Sequence, residues 1–561
     1  MSQLQFLSRE WPEVAAAAAR AEALADPDPR AACFYARRAL ELAVAWMYKH
    51  DPSLRLPYQD NLSALIHEPT FKTTAGEAVF SKTRVITQLG NLAVHSPKPV
   101  QPLDALTAVR ELFHVSYWLA RTYGRVVRPA PGLAFDAKAL PKIAPVPKQT
   151  LEQLQKLEDT LRERDEKLSV LLAGKAALDD ELKRLRAEVA EAKRASAAQP
   201  DTHDYSEAET RDYFIDLLLK EAGWVFNRPG HDTELEVSGM PNNQGKGFVD
   251  YVLWGNDGKP HGLVEAKRTR RDSRVGQQQA KLYADCLERQ FGQRPLIFYS
   301  NGYEHWLWDD LNYPPREIQG FYKKAELELL IQRRGSRKSI AQAVIDPKIV
   351  ERHYQKRAIR RIAEAFERDH DRKALVVMAT GAGKTRTVIA LCDLLLRCNW
   401  VKRVLFLADR VALVNQAVNA FKRHLPDAAP VNLVTEKQTE GRVFVSTYPT
   451  MMGLIDETRE GQRRFGVGHF DLVIIDEAHR SVFQKYRAIF EYFDSLLVGL
   501  TATSQGRGGS KHVQPVRSGK RRSHRRLFPR RSGEGRVSRA TQGCVCAAEV
   551  PARGDQVRRP P

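Results

Sequence analysis

At 561 residues with a formal net charge of +20, the chain has room for several domains, and its overall basicity invites a nucleic-acid partner. Residues 504–561 alone hold 15 Lys+Arg against 3 Asp+Glu, a net of +12, so only +8 is left for the preceding 503 residues. No secretory leader follows Met1, no apolar run reaches membrane-spanning length, and the six scattered cysteines form no paired metal spacing; these features exclude a secreted, membrane-spanning or zinc-stapled protein and lead us to expect a cytoplasmic one.

Residues 1–125 read as an all-α docking domain, with apolar positions at helical spacing from Ala31 to Met47 and from Val109 to Leu119. The run Gly90-Asn91-Leu92-Ala93-Val94-His95 predicts a break, with Pro97 and Pro99 closing the preceding helix. Arg84, Asn91 and His95 have the residue types of a ribonuclease set, but a polar helix end packed within a docking module is the preferred reading. Prolines 129, 131, 141, 145 and 147 mark 126–150 as a stiff linker.

From 151 to 196 the chain is heptad-patterned. Leu154, Leu161, Leu168, Lys175, Leu182 and Val189 form one row, and Leu157, Arg164, Leu171, Leu178, Leu185 and Ala192 the other. This predicts a coiled coil whose seam Arg164 and Lys175 interrupt, leaving a dimer and an arm folded on the same chain or on a partner equally open.

A mixed α/β domain is expected over 200–335. A helix from Glu207 to Ala222 precedes two strands, Phe248–Trp254 and His261–Lys267, joined by a Gly-Asn-Asp-Gly-Lys-Pro turn. Glu265 and Lys267, two apart in a strand, share a face, and Asp250 on the paired strand can reach it. Two carboxylates suit Mg²⁺, and a neighbouring lysine suits water activation and phosphate neutralisation. Gln279 and Tyr283 follow one helical turn apart. Surface ion pairs are the bland alternative, but Glu265 follows the apolar Leu263-Val264, where an unpaired carboxylate is costly. These residues resemble the PD-(D/E)xK nuclease fold with its Q-x-x-x-Y element, and the resemblance implies Glu209 as a further carboxylate.

A second α/β domain is expected over 345–503. The strand Leu375–Met378 runs into Ala379-Thr380-Gly381-Ala382-Gly383, and Lys384-Thr385 open a helix. Glycines at that position let backbone N–H groups surround a triphosphate at a helix N-terminus, with Lys384 on the outer phosphates and Thr385 on Mg²⁺. Leu472–Ile475 is a second buried strand ending in Asp476-Glu477-Ala478-His479, where Asp476 suits Mg²⁺, Glu477 a base for the hydrolytic water and His479 coupling to neighbouring motifs. Gln355 is placed to read the adenine edge of ATP. Val404–Arg410 and Val443–Tyr448 are apolar strands whose polar ends suit a nucleic-acid backbone, and Leu497–Leu500 leads into the motor-coupling run Thr501-Ala502-Thr503.

These motifs resemble the first RecA-like lobe of DEAH-box helicases and translocases. With the nuclease signature on its amino-terminal side, residues 1–503 resemble the R subunit of type I restriction–modification enzymes; type III subunits carry their nuclease after the motor. The resemblance implies ATP-dependent translocation and cleavage of double-stranded DNA in host defence. It implies partner methyltransferase and specificity subunits, and S-adenosylmethionine held by that complex. A free-standing helicase–nuclease of phage defence or repair is the enzymatic alternative, and a catalytically dead docking or DNA-binding remnant the non-enzymatic one.

The pattern departs from the family after Thr503, where Ser504 stands in place of the usual proline and 58 residues remain. The basic tail lacks helical or strand periodicity and reads as an out-of-frame translation of GC-rich sequence, a DNA-binding tail being the alternative. A chain with one motor lobe of two is expected to bind ATP weakly and not to translocate.

Overall fold

The computed structural model describes residues 2–57, 61–142, 149–173, 177–197, 208–266, 274–302, 304–436, 440–459, 462–478, 482, 486–502 and 544–546. The amino-terminal region is helical: α1 (Pro12–Leu24), α2 (Pro29–His50), α3 (Leu62–Ile66), α4 (Pro69–His95) and α5 (Pro102–Tyr123). Its helix starts follow local chemistry. Pro29 occupies the first helical position of α2 while the Asp28 carboxylate accepts the Ala31 N–H at 3.1 Å, and Gln101 with Asp104 forms a capping box on α5. Trp11, Phe34, Leu40, Phe71, Ile86, Leu112 and Phe113 are buried in the core these helices share.

The expected break at Gly90 does not occur. α4 runs on to His95, and its irregularity lies at Gly76, whose φ of 77° is left-handed. Gly90 serves packing instead, since a Cβ there would lie 2.3 Å from the Cβ of Arg37 on α2. The Arg84, Asn91 and His95 set is not assembled either. Arg84 is buried and donates to the Gln319 carbonyl at 3.1 Å, whereas His95 is exposed.

The heptad segment forms two helices, α6 (Leu151–Ala173) and α7 (Ala177–Ala197), whose outer ends lie on the helical region. Leu154 and Val189 are buried in its core, Arg37 meets Glu158 at 2.9 Å, and Lys193 meets Asp51 at 2.7 Å. The outer ends of the arm thus lie on helices of its own chain. The linker also lies along this region: Phe135 packs on Phe113, and the Gln149 N–H reaches Asp28 at 2.7 Å.

Next come α8 (Ala208–Glu221), β1 (Thr233–Ser238), β2 (Lys246–Trp254), β3 (Pro260–Ala266), α9 (Arg274–Phe291), β4 (Leu296–Ser300), β5 (His305–Trp308), β6 (Arg316–Ile318) and α10 (Lys324–Ser336). The six strands lie in chain order in one sheet, antiparallel except for the parallel pair β3 and β4, which α9 connects. Phe214 and Leu218 of α8 share a core with Leu253, Val264 and Phe298 on one face. On the other, Tyr283 and Leu287 of α9 pack with Val252, Leu263 and Tyr299.

The carboxyl-terminal sheet is parallel. Its elements are α11 (His353–Glu367), β7 (Lys373–Val377), α12 (Lys384–Arg397), β8 (Val404–Ala408), α13 (Val411–His424), β9 (Pro430–Asn432), β10 (Val443–Thr447) and α14 (Tyr448–Leu454). They continue with β11 (Thr458–Arg459), β12 (Gln462–Arg463), β13 (Leu472–Ile475), α15 (Arg487–Tyr492), β14 (Leu496–Thr501) and β15 (Cys544–Cys546). The strand order is β15-β7-β14-β13-β8-β10-β9, with the β11–β12 hairpin standing apart. β8, β10, β13 and β14 are buried along their length, as strands covered on both faces must be. Five strands were expected in this sheet; β9 and β15, three residues each, lie at its two edges. β15 pairs with β7 and is the described part of the tail that was expected to lack regular structure.

The three regions meet at buried ion pairs. Arg463 of β12 bonds Glu221 of α8 at 3.0 Å and Asp456 at 2.5 Å, and Gln88 of α4 donates to Glu221 at 2.8 Å. Arg463 is 8% and Glu221 6% exposed, so the charges are compensated by each other rather than by water. At a second seam Asp494 accepts from Arg316 at 2.6 Å and from Arg372 at 2.6 Å, and also from the Tyr322 hydroxyl. Burial would raise the Asp494 carboxyl, but the two guanidiniums and that hydroxyl hold it well below the usual range.

Candidate functional site

The carboxyl-terminal sheet gathers its polar strand ends on one edge. A parallel sheet makes this automatic, because every strand delivers its last residue to the same side. β7 feeds the glycine loop, β8 ends before Asp409, β10 at Thr447, β13 before Asp476 and β14 at Thr501. The parallel registers Thr447↔Ala408 and Thr501↔Val377 confirm the alignment.

Within the loop Gly381 and Gly383 have φ of 77° and 87°, a region that costs residues with a Cβ, and Gly383 is the cap from which α12 departs. The loop turns through the Ala382 N–H to the Ala379 carbonyl at 3.1 Å, and Thr380 sits in that turn. Lys384 and Thr385 open α12, and the Lys384 ammonium lies 3.5 Å from Glu477. The Asp476 amide donates to the Leu407 carbonyl and the Ala478 amide to that of Leu500, while Glu477 between them has φ of 51°. Burial and the adjacent Glu477 carboxylate push the Asp476 carboxyl up, partly offset by the Glu477 amide and Lys384. Two crowded carboxylates beside a lysine and a hydroxyl form a donor set that fits Mg²⁺ with a triphosphate.

Gln355, 5% exposed, turns its amide to the Ala382 and Gly383 carbonyls at 3.4 Å each, so it rests on the loop itself. Tyr354 beside it also donates to the Ala382 carbonyl, at 3.1 Å. Thr501 is buried and its carbonyl accepts the Met378 N–H at 3.0 Å; Ala502 follows at the strand end. His479 and Thr503 lie outside the described residues. The Tyr448 hydroxyl bonds this site's backbone as well, at the Asp476 carbonyl; the sequence marked Tyr448 as a polar strand end but gave no sign of that partner, nor of the one Tyr354 finds.

The other expected site is built across strands. Register Tyr251↔Val264 makes Asp250 and Glu265 the next facing pair of β2 and β3, and Glu265 pairs in turn with Tyr299 of β4. The Asp250 carboxylate accepts the Ala266 N–H at 2.6 Å, which holds it against the end of β3, and Glu265 is 3% exposed. On α9 the Gln279 amide donates to the Tyr283 hydroxyl at 2.8 Å, and a Cβ at Gly247 of β2 would lie 2.6 Å from the Tyr283 ring. Asp250, Glu265, Gln279 and Tyr283 therefore belong to the β2–β3–α9 layer. Glu209 is in the first turn of α8, the helix packed on the opposite face; its side chain and the whole of Lys267 lie outside the described residues. Two facing carboxylates, one buried, fit a divalent cation, although among the described residues no third His, Cys, Asp or Glu completes a ligand cluster.

Residues 348–506 match the family model described as type III restriction enzyme, res subunit, and residues 233–316 the type I restriction enzyme R protein N terminus. Residues 19–164 match a domain of unknown function, DUF4145. Among curated proteins the chain is 26% identical over 391 residues to the type I restriction enzyme EcoKI endonuclease subunit of Escherichia coli, covering 54% of this chain and 33% of that protein. It is 31% identical over 289 residues to the EcoAI endonuclease subunit of Escherichia coli, covering 46% of this chain and 33% of that protein. The matches thus span about a third of these relatives' length. Among solved structures, a fragment of an HsdR subunit from Vibrio vulnificus is 25% identical, with coverage of 53% and 55% and a TM-score of 0.23. The Hef helicase domain of Pyrococcus furiosus is 23% identical, with coverage of 30% and 36% and a TM-score of 0.22; scores this low carry no weight for the fold.

Proposed function

We propose that this chain, which belongs to the family of type I restriction enzyme R subunits, binds ATP on its parallel sheet and hydrolyses DNA on its six-stranded one. The observation that carries the reading is the pairing of two sites on one chain: a glycine loop whose lysine meets Glu477, and a facing carboxylate pair within the segment similar to the R-protein N terminus.

In the motor, ATP phosphates displace Glu477 from Lys384. Glu477 is thereby released to orient the hydrolytic water, Asp476 and Thr385 would hold a Mg²⁺ ion, and His479 and Thr501–Thr503 would relay the change. The described residues make one such lobe, and we assign it ATP binding rather than translocation by itself. In the nuclease, Asp250 and Glu265 would hold a Mg²⁺ ion, which would supply water activation and screening of the phosphate charge. Lys267 orients the attacking water; the water oxygen bonds to phosphorus and gives up a proton to solvent, the phosphorus–oxygen bond to the leaving sugar breaks, and the leaving oxygen takes up a proton from solvent. Gln279 and Tyr283 position the DNA strand, and Glu209 contributes from α8. Double-stranded DNA is the substrate, methyltransferase and specificity subunits choose the site, and S-adenosylmethionine belongs to those partners.

The test is Mg²⁺-dependent nicking of supercoiled plasmid by the purified chain. Glu265→Gln and Lys267→Ala should each reduce it by roughly 100-fold or more, since even outer-shell changes at metal sites cost 10–100-fold. Unchanged nicking in both variants would remove the nuclease assignment.

A further inference from the structure

We propose that Trp306 is a stacking platform for a nucleobase of the DNA strand cut at the Asp250–Glu265 pair. The inference rests on the nuclease reading of the six-stranded sheet. It adds a residue that grips the substrate by its base rather than by its phosphate.

Strand pairing carries the platform to the site. Glu265 of β3 is the direct partner of Tyr299 on β4, and Tyr299 is the direct partner of Trp306 on β5. Direct partners project from the same face, so the three side chains form one row across the sheet, on the side where α9 packs. Two strand spacings, roughly 10 Å, separate the backbones of Glu265 and Trp306. The row also lies at the right end of the sheet. Trp306 follows His305, which pairs with Ser300 at the close of β4, and Ser300 in turn pairs with Ala266, the residue before Lys267.

The ring is backed on one side and open on another. Tyr299 is 1% exposed and its ring lies parallel to that of Trp306, with 6.1 Å between centroids and 2° between planes. Trp306 itself is only partly buried, at the margin of the core that α9 forms with β2, β3 and β4. Its indole N–H is nevertheless hidden and has no hydrogen-bond partner among the described residues. A buried tryptophan N–H ordinarily finds an acceptor, because leaving it unpaired is costly. What this side chain offers to solvent is therefore ring carbon, the surface on which a base stacks.

The flanking charges set the course of the strand. Trp308, two residues along β5 and on the same face, has the Lys281 ammonium 5.6 Å from its ring centroid. Lys281 belongs to α9, between Gln279 and Tyr283. On the side away from β4, Trp306 pairs with the exposed Glu317 of β6. A phosphate is drawn toward Lys281 and turned away by Glu317, so the DNA backbone runs on the α9 side, over the carboxylate pair. Stacking is tolerant of base identity, and the platform thus holds the strand without reading it.

The experiment uses the full chain and two readouts. In Mg²⁺-dependent plasmid nicking, Trp306→Leu, which keeps apolar bulk against the core, should raise the half-saturating plasmid concentration about 5–150-fold, the loss of one stacked base. The maximal rate should stay within about threefold, and Trp306→Phe should return the half-saturating concentration to within about threefold of the unaltered chain. In the second readout a short oligothymidylate, titrated with Ca²⁺ in place of Mg²⁺, should quench tryptophan emission, and Trp306→Phe should lose most of that quenching. If Trp306→Leu lowers the melting temperature, the Trp306→Phe quenching decides alone. Half-saturation unmoved in Trp306→Leu, or quenching that is absent from the unaltered chain or retained in Trp306→Phe, overturns the proposal. An unaltered chain that shows Trp306-dependent quenching but never nicks removes the nuclease reading and leaves the platform as a DNA-binding residue.

Discussion

The two sheets assemble their candidate sites in opposite ways. The parallel sheet collects short contiguous motifs at strand ends, so each motif needs only its own strand and the edge does the rest. The six-stranded sheet builds its site sideways, from Asp250, Glu265 and α9, and depends on register. A slip of one residue between β2 and β3 would turn one carboxylate to the other face, while the glycine loop would survive such an error in its own sheet. The contrast separates a site encoded by a motif from one encoded by pairing.

The seam between the sheets is the first place to press this contrast. Arg463→Met removes the cation from between Glu221 and Asp456, and a buried pair broken on one side costs about 3–5 kcal/mol. Chemical denaturation should show that loss, and nicking should fall with it more than ATP binding, because α8 underlies the six-stranded sheet; equal loss in both would erase the distinction.

A second effect at the same seam depends on pH. Glu326 at the start of α10 accepts the Lys323 N–H at 3.0 Å and the Gly468 N–H at 3.3 Å. Burial pushes its carboxyl up to about 7, with the Lys323 amide, the Lys323 and Arg403 charges and the Gly468 amide opposing. A folded value above the unfolded one gives stability that is full below about 4.5 and lost as pH rises through about 7, on the order of 3 kcal/mol. Melting temperature should therefore fall between pH 5.5 and 8, and Glu326→Gln should flatten that part of the fall; an unchanged slope would exclude Glu326 as its source.

The smallest effect belongs to the motif-encoded site. Lys384→Ala should weaken ATP binding by roughly 10–150-fold, as expected for about 1.5–3 kcal/mol of charge-assisted hydrogen bonding, with plasmid nicking unaltered. Nicking that fell in parallel would mean that the two sites are not separable.

What the sequence disclosed follows the same division. Gly381 to Thr385 and Asp476-Glu477 were legible because loop, lysine and carboxylates are neighbours in the chain. Asp250 and Glu265 were legible once a hairpin joined their strands. Gly90 was misread as a breaker because a glycine's packing role depends on Arg37, 53 residues away, whose side chain fills the space beside it. The heptads announced helices but not their destination, since Leu154 and Val189 suit a helical core as well as a second coil. Arg463 and Glu221, 242 residues apart, left no local trace. Tyr448 was noted as a polar strand end; its hydroxyl's partner lay 28 residues downstream.

The Arg463 junction also bears on inheritance. Gln88, Glu221, Asp456 and Arg463 come from three regions but form one bonded set. A crossover between related genes anywhere from codon 88 to codon 463 would join halves of this set from different parents. Unless both parents carried matching partners, the hybrid would bury a charge or an amide with nothing to answer it. Exchange of the amino-terminal helices is thus confined to variants that keep Gln88 facing Glu221, and the small β11–β12 hairpin acts as the keystone that decides which amino-terminal regions the chain accepts.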